Sequence, residues 1–194
     1  SSTVLIVEDE KNLADLFGIW LQEQFEVHVA YAGEDALEIF AEESIDIVLL
    51  DRRMPGLSGT EVLQSIRENG DAQQVIMVTA VQPTEDLASI DVDDYLLKPI
   101  DRTKLLRAVE AAELVLTYED SLTELLSLTA RKATLEANLD KTELEKDDRY
   151  GDLLQRIREL EEEADTTLQR LETDYQIDML VRDQRIGSQP VEQF

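Results

Sequence analysis

The chain has 194 residues, 43% of them apolar, with 44 acidic against 18 basic side chains and a formal charge of −26. That length suits one or two domains with a real core, and the apolar share excludes a disordered chain. Zero cysteines exclude a disulfide framework and thiolate chemistry, and a single histidine, His28, excludes a histidine-rich metal site. 

Taken in chain order, short apolar runs alternate with helical patterns. Thr3–Val7 (TVLIV) is a buried strand by length and β-branching, and Lys11–Gln24 carries Leu13, Leu16, Phe17, Trp20 and Leu21 at helical spacing, as core residues. Glu26–Ala30 is a second strand, with His28 structural or exposed between valines, and Glu34–Glu43 a second helix with Ala36, Leu37 and Phe40 inward. IDIVLL (residues 45–50) is the third strand and Gly59–Glu68 the third helix. Gln74–Thr79 is the fourth strand, and Pro83 opens a short fourth helix at its first turn. Asp94–Lys98 is the fifth strand, stopped by Pro99, after which Asp101 caps a fifth helix running to about Thr117. Strands alternating with helices predict parallel βα units with right-handed crossovers. The expected fold is α/β, a flavodoxin-like doubly wound five-stranded parallel sheet of order 2-1-3-4-5.

After Thr117 no strand candidate remains. Leu122, Leu125, Leu128, Leu135 and Leu139 mark one helical stripe, DDRYGD (Asp147–Asp152) interrupts it, and Leu153, Ile157, Leu160, Ala164, Leu168 and Leu171 mark another. Two one-sided amphipathic helices predict an antiparallel hairpin or coiled-coil extension, and the fifth helix can run on into the first of them. The expected domains are residues 1–117, residues 118–175, and a disordered or extended tail over 176–194, patternless from Gly187.

The sheet order brings distant residues together. Strand one ends in Glu8 and Asp9, strand three in Asp51, strand four in Thr79 and Ala80, and strand five in Lys98, all on the carboxyl edge where such sheets carry their functional crevice. Three carboxylates gathered there repel one another, and a hard divalent cation such as Mg²⁺ resolves that. Lys98 adds a point charge, Thr79 a hydroxyl and Ala80 an N–H, a set that fits a phosphoryl group carried on a carboxylate. Asp51, at the central strand end, is the natural acceptor. A buried strand drives into an aspartate here because the run holds a nucleophile. The bland alternatives are a surface acid at Asp51, a solvated Lys98 and ordinary half-buried packing at Tyr95.

Glu8–Asp9, Asp51 followed by MPGLSG, Thr79–Ala80, and Tyr95 before Lys98–Pro99 resemble the receiver domain of two-component response regulators over residues 1 to about 117. The resemblance implies Mg²⁺ held by Glu8, Asp9, Asp51 and the main-chain carbonyl of Arg53. It implies phosphotransfer to Asp51 from a sensor histidine kinase, a cis Lys98–Pro99 bond, and a switch in which Thr79 is drawn inward and Tyr95 follows. Arg52 directly after the acceptor is less usual for the family. SLTARKATLEANL and YGDLLQRIRELEEEADTTL resemble the helical HalX domain appended to receivers in haloarchaea. Residues 1–117 carry −16 and residues 118–194 carry −10, so the acidity is general and fits a halophilic, archaeal source.

The function expected is therefore a phosphorylation-dependent switch rather than an enzyme acting on other molecules, with a downstream protein partner or a homodimer as output. A phosphatase using an aspartyl phosphate wants a second acid two residues after the nucleophile, where Arg53 stands. A constitutive receiver-like scaffold needs a missing site residue, and none is missing. A transcription regulator binding DNA through the C-terminal helices faces repulsion from phosphates, since its basic residues are interleaved with acids. No apolar stretch approaches a membrane span and no signal-peptide pattern precedes the first strand, so the expected location is cytoplasmic.

Overall fold

The fold was analysed in a computed structural model that describes residues 2–68, 73–80, 91–144 and 146–186, with side chains to residue 173. The elements are β1 (Thr3–Val7), α1 (Lys11–Leu21), β2 (Glu26–Ala30), α2 (Gly33–Glu42), β3 (Ile47–Asp51), α3 (Gly59–Glu68), β4 (Gln74–Thr79), β5 (Asp94–Leu97), α4 (Arg102–Asn138), α5 (Lys141–Leu144) and α6 (Asp148–Ile186). The chain divides into two compact units, Ser1–Glu113 and Leu114–Phe194, the division falling within α4 rather than at Thr117. The helix expected after Pro83 lies outside the described residues.

In the first unit, β2-β1-β3-β4-β5 form one parallel sheet, the order expected of a doubly wound fold. Every residue of β3 and β4 is buried, as strands covered by helices on both faces must be. Alternation then sorts the core. Leu5, Val7, Val48, Leu50, Val75 and Met77 pack on one face with Ala36 of α2 and Val62, Leu63 and Ile66 of α3. Val4, Ile6, Ile47, Leu49 and Ile76 take the other face, and α1 and α4 bury Phe17, Leu21, Leu105 and Val109. Each such side chain contributes about 1.5–3 kcal/mol relative to exposure. The edge strand β2 is covered less: His28 is half-buried there.

Helix starts follow local chemistry. Ser58 and Glu61 form a capping box before α3, with the Ser58 N–H donating to Glu61 Oε2 at 2.9 Å and the Glu61 N–H to Ser58 Oγ at 3.4 Å. Asp101 Oδ1 accepts the Lys104 N–H at 2.8 Å and so caps α4 as expected.

In the second unit, α4 and α6 are antiparallel. Arg156 of α6 grips Glu124 of α4 through Nε at 3.0 Å and Nη2 at 2.9 Å, and the Tyr150 hydroxyl donates to Glu136 at 2.7 Å. Leu153, Ile157, Leu160 and Ala164 are buried along α6, while Leu122, Leu125, Leu128 and Leu135 of α4 are half-buried.

Four expectations need correction. Leu16 of α1, expected in the core, is exposed at 39%, because the apolar stripe of α1 is wider than the surface it covers. DDRYGD, expected as the break between the two helical stripes, is the start of α6 instead: Asp147 Oδ1 accepts the Arg149 N–H at 3.0 Å, and the turn lies before it, around α5. Leu139 and Leu168 are exposed, at 39% and 40%, in the outer part of their stripes. Residues 176–186, expected in the tail, continue α6 as helix, whereas 187–194 lie outside the described residues.

Candidate functional site

Four of the five strands, β1, β3, β4 and β5, deliver a polar group at their carboxyl ends. Glu8 and Asp9 follow β1 directly, and the Glu8 N–H donates to the Ala30 carbonyl at 3.1 Å, extending the β1–β2 ladder to the crevice. Asp51 is the last residue of β3, paired in register with Val78 of β4. Thr79 ends β4 and is buried, and its carbonyl accepts the Lys98 N–H at 2.8 Å, which places Lys98 one step beyond β5. The Lys98–Pro99 bond is cis.

The side chains converge. Lys98 Nζ donates to Asp51 Oδ2 at 2.6 Å and to Glu8 Oε2 at 2.8 Å, so one ammonium bridges two carboxylates from different strands. Glu8, Asp9 and Asp51 each offer a carboxylate oxygen, all within 4.8 Å of one another. The Arg53 N–H donates to Asp51 Oδ1 at 2.9 Å, fixing that carboxylate's second oxygen. Glu8 and Asp51 are 2% and 7% exposed, whereas Asp9 and Ala80 are exposed to solvent. The crevice thus has two buried carboxylates at its floor and one at its rim.

Electrostatics follow from that burial. Desolvation raises the Glu8 carboxyl from the ordinary 4.5 to about 7, against the opposing pull of the Lys98 hydrogen bond, and the neighbouring Asp51 charge pushes it further up. For Lys98, burial works downward, but the hydrogen bonds to Asp51 and Glu8 outweigh it and the ammonium is held above its ordinary range. Three carboxylates against one ammonium leave the crevice short of positive charge. The oxygen-only donor set and the spacing suit a hard divalent cation.

Tyr95 lies in β5, half-buried, and packs against the core cluster that includes Met77, its register partner. Burial raises its hydroxyl pKa and the nearby Arg52 charge opposes that rise. Among the expected site residues, Glu8, Asp9, Asp51 and Lys98 come together at side-chain level, Arg53 joins through its main chain, Thr79 flanks them, and Tyr95 stands two residues back along β5.

Two residues support the site without having been singled out. Gly59 is one: a Cβ there would lie 2.1 Å from the Asp51 carbonyl oxygen, so α3 starts flush against the Asp51 backbone. Its signal in the sequence is the glycine closing MPGLSG, which reads equally as an ordinary turn residue. Lys104 is the other. Its Nζ donates to the Leu97 carbonyl at 2.7 Å and ties the end of β5 to α4, and nothing in the pattern around it distinguishes it from a solvated lysine.

Comparison with known proteins agrees with this geometry. A family model described as the response regulator receiver domain matches residues 4–110, and one described as the HalX domain matches residues 114–182. A protein of Haloferax volcanii, named as a candidate transcriptional regulator, is 36% identical over 180 residues, covering 92% of this chain and 30% of that protein. The response regulator ArlR of Staphylococcus saprophyticus is 38% identical over 112 residues, 56% of this chain and 50% of that one. This chain therefore spans half or less of the length of these two relatives. Among solved structures, the response regulator TrrA of Thermotoga maritima, in complex with Mg²⁺ and BeF, superposes with a TM-score of 0.53 at 36% identity, covering 57% of this chain and 97% of that one.

Proposed function

Since the chain belongs to the response regulator receiver family and carries a HalX domain behind its receiver, we propose that it takes a phosphoryl group on Asp51 from a sensor histidine kinase and uses it to switch the helices that follow. The observation that supports this best is the double bridge of Lys98 to Asp51 and Glu8, which joins the ends of β1, β3 and β5 in one charged crevice.

In the transfer, an Asp51 carboxylate oxygen attacks the phosphorus of the donor. A P–O bond forms as the donor's P–N bond breaks, and its electron pair leaves on the imidazole nitrogen. The Arg53 N–H holds Asp51 Oδ1 in place, which leaves Oδ2, now on Lys98, as the attacking atom. Lys98 then neutralises the phosphoryl oxygens, with the Thr79 hydroxyl and the Ala80 N–H as further donors. Glu8, Asp9, Asp51 and the main-chain carbonyl of Arg53 would hold Mg²⁺, which supplies positive charge to the phosphoryl oxygens when bound. The receiver promotes only its own phosphorylation and dephosphorylation.

For the response, Thr79 closes on the phosphoryl group and Tyr95 moves with it, changing the surface near β5. Residues 1–117 act as the phosphoacceptor domain and residues 118–175 as the output module, whose half-buried leucines on α4 suit a protein partner or a second copy. The family and the lack of any helix long and apolar enough to cross a membrane among the described residues support a cytoplasmic place of action. A second reading, transcriptional output, is favoured by the name of the Haloferax relative. Direct DNA contact through these helices is disfavoured, because residues 118–194 carry −10.

Labelling with a radioactive acyl phosphate in the presence of Mg²⁺ tests the assignment. Asp51→Asn should abolish labelling and leave the fold intact. Labelling of the asparagine variant at the wild-type level would show that the phosphoryl group goes elsewhere.

A further inference from the structure

Arg52 is a charged side chain directly beside Asp51 that the transfer does not use. It follows Asp51 at the end of β3, its N–H donates to the Val78 carbonyl of β4 at 3.0 Å, and its side chain is half-buried. The register carries the consequence. Leu50 pairs with Met77 and Met77 with Tyr95, so these three positions form a row across β3, β4 and β5. Alternation returns position 52 to the same face, one row further out, opposite Thr79. Arg52 thus sits one step beyond the row that ends in Tyr95, at the end of β4 that carries Thr79.

The charge balance around it is unusual. The sequence has 44 acids for 18 bases, yet among the described residues no carboxylate forms an ion pair with Arg52. Its charge opposes the rise that burial causes at the Tyr95 hydroxyl. A half-buried guanidinium without a carboxylate, adjacent to a nucleophile whose single negative charge becomes about two on phosphorylation, has a stronger partner waiting than a neutral phenol. Arginine suits that partner, since its planar fork donates to two phosphoryl oxygens at once.

We propose that Arg52 is a positioning residue that reads the phosphoryl group: it lies against Tyr95 when Asp51 is free and swings to the phosphoryl oxygens when Asp51 is modified, leaving Tyr95 to move. The proposal rests on Asp51 being the acceptor. It adds a second cation to the one supplied by Lys98. It also gives the Tyr95 shift a direct electrostatic cause.

The test uses the full chain with fluorotyrosine incorporated, the Tyr95 resonance being identified among the five tyrosines by Tyr95→Phe. Wild type, Arg52→Gln and Arg52→Lys are titrated with beryllofluoride and Mg²⁺. In wild type the Tyr95 resonance should shift on addition. Arg52→Gln should bind beryllofluoride about 10- to 100-fold more weakly, the loss expected for a charge-assisted hydrogen bond, and its Tyr95 resonance should already be displaced before addition. Arg52→Lys should recover part of the affinity, because it restores the charge without the fork. If Arg52→Gln binds as wild type does, or leaves the free Tyr95 resonance unmoved, the proposal is overturned and the acceptor assignment stands. Should the glutamine variant not fold, wild-type affinity in Arg52→Lys overturns the bidentate contact in the same way. Wild type that takes up no beryllofluoride overturns the acceptor assignment, and the role of Arg52 with it.

Discussion

Glu8 shows how a single burial event tunes a site. Its carboxyl, at 2% exposure, is raised to about 7, so near neutral pH a good share of it carries a proton while no cation is bound. A divalent cation favours the carboxylate, and binding below about pH 7 must therefore release a proton. Mg²⁺ affinity should fall as pH is lowered from 8 to 6, and calorimetry in two buffers of different ionisation enthalpy should detect the released proton. Glu8→Gln should flatten that dependence. The stability consequence has a definite sign: a carboxyl raised in the folded state contributes stability below pH 4.5, and that contribution is lost as pH rises toward 7. Gly59 offers a second test at this scale. With a Cβ 2.1 Å from the Asp51 carbonyl, Gly59→Ala must displace either α3 or the acceptor strand. It should cost about 1–3 kcal/mol in urea unfolding and also weaken Mg²⁺ binding, whereas an overpacked site remote from the crevice would change only stability.

The long helices show which contacts hold an element and which only align it. Leu160 of α6 is 1% exposed, and removing its side chain should destabilise the second unit by about 2–5 kcal/mol, read as an earlier urea transition. Arg156 is different. It reaches Glu124 across the hairpin and Glu163 along α6, and it holds the Glu124 carboxyl below its ordinary range, but its side chain is 40% exposed. Such pairs are screened by salt, so Arg156→Ala should cost much less than Leu160→Ala and the difference from wild type should shrink in molar KCl. Its contribution is alignment: the fork on Glu124, together with Tyr150 on Glu136, selects one register between two stripes that could pack in several. α4 illustrates the converse. No breaker residue interrupts the pattern after Thr117, and the helix accordingly continues to Asn138.

At the scale of the whole chain, charge dominates. A formal −26 spread over both units produces repulsion that the few ion pairs do not balance. The Debye length is about 30 Å at 0.01 M salt and about 3 Å at 1 M, so dilute buffer leaves distant carboxylates coupled and molar salt does not. The melting temperature should rise steeply from dilute buffer to molar KCl. Mg²⁺ at low concentration should raise it further only if Asp51, Asp9 and Glu8 are intact, which separates the site from general screening. A flat response to KCl would remove the link between acidity and salt, which the similarity to a Haloferax protein otherwise supports.

Much of this was legible from residues alone, and for a local reason. Apolar runs of β-branched residues bounded by turns define β1, β3 and β4 within a few residues, and parallel βα units allow few topologies, so the order 2-1-3-4-5 and the gathering of Glu8, Asp9, Asp51, Thr79 and Lys98 at one edge followed from sequence. Capping chemistry is equally local, which is why Asp101 was recognisable as the start of α4. Asp147 was not, because an aspartate in a polar run starts a helix or ends one according to what its side chain accepts, and composition is the same in both cases. Only the tertiary structure decided that Lys98 bridges Glu8 and Asp51, that Glu8 is buried deeply enough to hold a proton near neutrality, and that Leu16 faces solvent. Those are properties of distance and dielectric between residues 40 to 90 positions apart, and they exist only once the sheet has brought its strand ends together.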